Sequence, residues 1–202
     1  MRKFTPRELR RLRAEAEQQY ENMKGARFYR NVDFLLYILV VILSALVIRA
    51  FLFEPIRVEG DSMVPTLIDG EHMLVEKISY WTREPVRGEI IICYYPGYTE
   101  SCVKRVIGLP GDSISIYDGY IYVNDRQLKE MSYWNGRILG DMETVVVGQR
   151  QVFVMGDNRN GSKDSRNPSV GNIPYHKVVG RVVAVIWPLN VFEKLGKVEY
   201  LL

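Results

Sequence analysis

The 202-residue sequence has few of the residues that build metal centres and covalent cross-links: two cysteines, Cys93 and Cys102, and two histidines, His72 and His176. Two thiols exclude a zinc site made of four thiolates, and two imidazoles leave little for a histidine-rich centre. No metal and no other cofactor is expected. Internal repeats and low-complexity tracts are also missing, which excludes solenoids and arrays. Beyond residue 60 there is no helix-period stretch of useful length. A basic surplus is lacking as well, except at the start. Residues 1–33 hold nine Lys/Arg against five Asp/Glu, while the rest holds 18 basic and 19 acidic residues. Nucleic acid is therefore not an expected partner. With 47% hydrophobic and 25% charged residues, the composition is that of a folded chain.

What is present falls into three parts: a basic cytoplasmic arm at 1–33, a transmembrane signal anchor at 34–53 and an extracytoplasmic β domain at 54–202. In the arm, Thr5 is placed to cap a helix, Pro6 suits its first position and Glu8 completes a capping box. Good helix formers follow to Lys24, and Gly25 is a natural stop. Phe34 to Ile48 carries no charge, and beyond Arg49 the apolar run resumes from Ala50 to Phe53. These positions match the ~20 residues needed to cross a bilayer, with Arg49 near enough to one end to snorkel. The basic arm before the run orients the N-terminus to the cytoplasm. A cleaved signal peptide fits less well, because its n-region would exceed 30 residues. A buried soluble helix is the other alternative.

From Glu54 the pattern turns to β. Strands are predicted over His72–Lys77, Glu89–Tyr95, Cys102–Ile107, Ser113–Tyr117, Tyr120–Val123, Gln151–Met155 and Val178–Ile186. Asp118-Gly119 is a strong two-residue hairpin signal, and Asn124-Asp125 makes a second turn. Residues 130–143 read as an irregular surface excursion. The expected fold is mostly β, with antiparallel sheet curled around one core. Cys93 and Cys102 flank the loop 96–101 of a candidate hairpin, and both a disulfide and two separate thiols stay open.

The chemistry concentrates at Gly60-Asp61-Ser62-Met63-Val64-Pro65-Thr66-Leu67. Gly60 permits unusual backbone angles and Pro65 restricts the chain, a rigid frame that suits a nucleophilic hydroxyl. An ordinary turn is the plainer reading of the same residues. Activation of Ser62 needs a base. His72 opens a strand and His176 lies in linker sequence, so a Ser-His-Asp triad is poorly supported. A lysine serves if burial keeps it neutral. Lys104 lies within the apolar strand Val103 to Ile107, where alternation sends Lys104 and Arg105 to opposite faces.

Three ordered stretches then carry a resemblance. Ser62-Met63-x-Pro65-Thr66, Lys104-Arg105 with Gly108-x-Pro110-Gly111-Asp112, and Gly156-Asp157-Asn158-Arg159 through Ser162-x-Asp164-Ser165-Arg166 resemble the boxes of bacterial type I signal peptidases. These are membrane-anchored serine endopeptidases with a Ser/Lys dyad and a signal-peptidase/LexA-like curled antiparallel β domain. Val75-Glu76-Lys77, Arg87-Gly88-Glu89, Val179-Gly180-Arg181 and Trp187-Pro188 extend the likeness, which runs from about residue 35 to 190.

The resemblance implies Ser62 as nucleophile, Lys104 as general base and Ser162 as the hydroxyl that orients the lysine amine. It implies an oxyanion donor in the Ser62 backbone N–H, with Gly60 standing where some members carry a hydroxyl. Arg105, Asp157, Asp164 and Arg166 would brace the site, and Ile56, Val58, Met63 and Val103 would line shallow apolar pockets for small side chains. The implied substrates are secretory preproteins with small-x-small cleavage sites, cut at the outer face of the cytoplasmic membrane, with the lipid bilayer as a partner. Arg166-Asn167-Pro168-Ser169-Val170-Gly171 departs from the family in being longer and lacking an aromatic. Two other readings share features: a non-proteolytic assembly factor for pilin-type substrates, which typically loses the Ser or the Lys, and a LexA-like self-cleaving regulator. The latter needs a DNA-binding domain where this chain has its apolar run.

Overall fold

The computed structural model describes residues 5–130, 133–134 and 136–200, and they fall into two units, 1–48 and 49–202. The first is helical. Helix α1, Pro6–Val47, opens with the expected capping box: the Glu8 N–H donates to Thr5 Oγ1, and the Thr5 N–H donates back to the Glu8 carboxylate at 2.8 Å. The expected stop at Gly25 does not occur, and the helix runs straight through it. A glycine inside a helix costs only about 1 kcal/mol, which good helix formers on both sides offset.

The helix expected over 34–53 differs in its bounds, since α1 begins at Pro6 and ends at Val47. Among the described residues no helix is long and apolar enough to cross a membrane. From Phe34 the α-helical part of the apolar run lasts to Val47. A single π-helical turn takes Ile48–Leu52, and Phe53 already belongs to a strand. The apolar run itself is real: Leu35 is 64% exposed and Tyr37 68%.

The second unit is mostly β and antiparallel throughout, as expected. One sheet is ordered β1 (Phe53–Arg57), β2 (His72–Glu76), β11 (Val178–Trp187), β3 (Ile90–Tyr94), β4 (Ser101–Gly108), β9 (Gln151–Met155) and β10 (Ile173–Pro174), with β12 (Glu193–Lys194) paired to β11. The other is ordered β7 (Arg126–Gln127), β6 (Tyr120–Val123), β5 (Ser113–Tyr117) and β8 (Met142–Val146). Register shifts interrupt β11 against both neighbours and β4 against β9, and such bulges bend a sheet. A single-turn helix, α2 (Ser79–Thr82), is the one α-helical element described after residue 60.

The uninterrupted run Ile90-Ile91-Ile92-Cys93 is explained by burial on both faces of β3. Ile90 and Ile92 pack with Val58, Met63 and Val75, while Ile91 and Cys93 pack with Val106, Val154 and Ile173. A third cluster joins Ile107 of β4 to Ile114, Ile121 and Phe153 under the small sheet. Both turns flanking β6 form as expected, with positive φ at Asp118, Gly119, Asn124 and Asp125. The excursion at 130–143 is not merely superficial. Glu130 and Ile138 are buried, and β8 begins at Met142.

Candidate active site

Ser62 follows β1 on a loop whose backbone is tied at both ends. Gly60 adopts φ +81° and donates its N–H to Asp69 Oδ1 at 2.8 Å. Leu67 N–H donates to the Met63 carbonyl at 3.0 Å, and the Val64–Pro65 bond between them is cis. From the far side, the Asn158 N–H donates to the Ser62 carbonyl at 3.1 Å and Asn158 Nδ2 to the Asp61 carbonyl at 3.1 Å. Two segments nearly a hundred residues apart in sequence thus hold the serine backbone.

Lys104 reaches this loop from the middle of β4. Its Nζ donates to Ser62 Oγ at 2.7 Å and to the Val103 carbonyl at 2.8 Å, and the residue is 4% exposed. Burial holds its pKa below the ordinary lysine value, against the opposing pull of Cys102, Asp164, Cys93 and Asp157. Desolvation penalises the charged amine, so the neutral form, which has a lone pair, is more accessible than on a surface lysine. In that form the amine is within reach of the Ser62 proton.

Alternation along β4 does what the sequence suggested. Arg105 turns to the opposite face from Lys104, donating through Nε to Asp157 Oδ1 at 2.8 Å and through NH1 to the Gly88 carbonyl at 2.9 Å. Thr66 Oγ1 donates to the other Asp157 oxygen at 2.6 Å, which links this buried ion pair back to the Ser62 loop. Removing one partner from so dry a pair would leave an uncompensated charge, at a cost of about 3–5 kcal/mol. Asp164 and Arg166 form a second pair with both carboxylate oxygens engaged at 2.8 Å, and the Gly156 N–H donates to Asp164 Oδ2 at 3.0 Å.

Ser162 is brought to the same place, but its Oγ is buried with no hydrogen-bond partner. A Cβ at Gly156 would lie 2.3 Å from both Ser162 Oγ and the Ser62 carbonyl, so only glycine fits between them. The longer loop after Arg166 is organised by Asn167, whose carbonyl accepts from the Val170 and Gly171 N–H groups. Val170 is buried in the cluster with Cys93 and Val154.

An open cleft of about 520 Å³ is lined by Ser62 and Lys104 with Ile56, Val58 and Val103. Met63, expected among the pocket residues, is instead fully buried in the core and does not line the cleft. It follows Ser62 directly, so the turn that exposes the hydroxyl drives the next side chain inward. Neither His72 nor His176 lines the cleft. Sequence reasoning missed Tyr95, Cys102 and Lys163 on its walls. It also missed the buried network behind it. Arg159 donates to Glu130 and, at 2.9 Å, to the Tyr133 hydroxyl, which lies 2.6 Å from that of Tyr200. The Tyr133 ring also stacks 4.2 Å from the Arg105 guanidinium. Among the described residues no group of His, Cys, Asp and Glu is arranged to hold a metal ion.

Comparison with known proteins places the chain in a family. The family model described as signal peptidase, peptidase S26 matches residues 31–187. The chain is 38% identical over 187 residues to signal peptidase I of Bacillus licheniformis, covering 88% of this chain and 98% of that one. It is 40% identical over 162 residues to signal peptidase I T of Bacillus subtilis, covering 76% and 83%. A crystal structure of a signal peptidase I from Enterococcus faecalis superposes on 49% of this chain and 97% of its own, with TM-score 0.43 and 30% identity. With the family model covering most of the sequence and relatives matched over nearly their full length, the chain belongs to the peptidase S26 family of signal peptidases and is a serine endopeptidase.

Proposed function

We propose that this enzyme removes N-terminal signal peptides from secretory preproteins, with Ser62 as nucleophile and neutral Lys104 as general base. The observation that carries the reading is the 2.7 Å contact between the buried Lys104 amine and the Ser62 hydroxyl at the floor of an open cleft. The amine takes the hydroxyl proton as Oγ attacks the scissile carbonyl, and the tetrahedral oxyanion meets the Ser62 backbone N–H. Collapse expels the new N-terminus of the mature protein, and the amine returns the proton to that leaving group. Water, deprotonated in turn by Lys104, then hydrolyses the acyl-enzyme. Ser162, whose buried hydroxyl lacks a partner, is proposed to orient the amine during these transfers. Arg105, Asp157, Asp164 and Arg166 keep the two supporting loops in place.

Ile56, Val58 and Val103 leave apolar space beside Ser62, which suits small side chains in a small-x-small cleavage site. The preference for membrane-borne substrates is supported by the apolar run from Phe34, whose large side chains are exposed all round. Lipid is the natural cover for such a surface. The nine basic residues before it favour the cytoplasmic side for the arm and the outer side for the β unit.

The test is cleavage of a preprotein with an Ala-x-Ala site by the full chain in detergent. Wild type is expected to release the signal peptide, with a rate that climbs as pH rises through the Lys104 pKa. Ser62→Ala and Lys104→Ala are expected to lose roughly 10²–10⁴-fold in kcat. Activity that survives either substitution would overturn the assignment.

A further inference from the structure

Cys93 and Cys102 occupy directly paired positions on β3 and β4. Both are free thiols, their Sγ atoms are 3.6 Å apart, and Cys102 Sγ lies 3.3 Å from the Cys93 carbonyl. Cβ atoms so paired are about 4.5–5.5 Å apart, and a disulfide, which spans about 3.5–4.5 Å, needs the two strands drawn slightly together. The two differ sharply in access. Cys93 is completely buried, whereas Cys102 is half-buried and shares the cleft wall with Ser62 and Lys104. Alternation along β4 puts Cys102 and Lys104, two residues apart, on one face. The mutual hydrogen bond pulls the Cys102 thiol below its usual pKa and pushes that of Cys93 up. A thiolate, the reactive form, is therefore favoured at the accessible position.

We propose that Cys102 is an oxidant-reactive thiol inside the catalytic cleft and that Cys93 is its resolving partner, which keeps the cleft clear. A small disulfide, RSSR, is the oxidant. The Cys102 thiolate attacks one sulfur, the RS–SR bond breaks, and one RS⁻ leaves, so that the other RS group is carried on Cys102 as a mixed disulfide next to Ser62. Cys93 gives its proton to the departed thiolate and attacks the Cys102 sulfur. The Cys93–Cys102 bond forms and the second RS⁻ is expelled, taking a proton from water. In sum two protein thiols are oxidised and one RSSR is reduced to two RSH. The bulky group is lost from the cleft, and the cross-link lies along strands that are already paired. Without Cys93 the adduct stays where substrate must bind.

The experiment treats the full chain in detergent with glutathione disulfide and reads intact mass, alkylatable thiols and preprotein cleavage. Wild type is expected to lose two hydrogens in mass and both alkylatable thiols while still cleaving. Cys93→Ala is expected to gain one glutathione, lose most of its cleavage and recover it with a dithiol reductant. A wild-type protein that keeps a glutathione adduct, stays unchanged in mass or cross-links between chains overturns the proposal, whatever the variant does. Only the cleavage arm rests on the proteolytic reading. The mass arm is repeated on Ser62→Ala, so normal thiol chemistry in a wild type that cleaves nothing would count against the proteolytic reading alone.

Discussion

A lysine kept nearly out of water carries an energetic signature separate from its chemistry. Burial lowers the folded-state pKa of Lys104, so between that value and the unfolded value of about 10.4 the unfolded chain binds more protons. Stability contributed through this group therefore rises with pH across the window, and the penalty is largest below the folded pKa. Lys104→Met, which keeps the bulk and removes the titration, is expected to narrow the pH dependence of unfolding. Its free energy relative to wild type should be most favourable near neutral pH and fall as pH approaches 10. Denaturant unfolding across that range checks the slope. At this scale much of the site was legible, because a lone Lys-Arg pair inside Val103–Ile107 forces one cation to each face. Glu130, Tyr133 and Tyr200 were not. Glu130 and Tyr133 bond to Arg159, 29 and 26 positions away, and Tyr200 bonds to Tyr133, 67 positions away, and no local pattern reports such distant pairings.

Among elements, the loop that follows β9 braces the Ser62 backbone, through the Asn158 N–H to the Ser62 carbonyl. Gly156 leaves it just enough room for the Ser62 carbonyl and the Ser162 hydroxyl. Gly156→Ala is expected to cost about 1–3 kcal/mol through overpacking. Because the clash falls on the backbone of Ser62, kcat should drop with little change in KM. Steady-state kinetics beside a thermal melt separates the two effects. Hairpin β5–β6 was readable from Asp118-Gly119 alone, since positive φ at both positions needs such residues. The segment after β7 was not readable in the same way. Its buried anchors, Glu130 and Ile138, are spaced by neither strand nor helix period, and each is fixed by residues from other elements. The end of α1 also escaped, because the apolar run continues past the point where the backbone leaves the α-helix.

For the whole molecule, the division into two units has a direct test. The β unit has its own three packed clusters. A chain starting at Arg49 is therefore expected to keep its β circular dichroism and a cooperative melt within a few degrees of the full chain. The same truncation should abolish flotation with liposomes. A molten or aggregated 49–202 fragment would mean that the helical unit contributes to the fold.

The exposed apolar surface from Phe34 to Ile48 has one more consequence. An enzyme and a substrate that share a lipid surface meet in two dimensions, and their encounter rate follows the number of molecules per unit of lipid area. Added empty vesicles would spread both over more surface while leaving the volume concentration unchanged. Cleavage by the full chain should then slow in proportion to the added lipid, whereas a water-soluble peptide substrate should be cut at an unaltered rate.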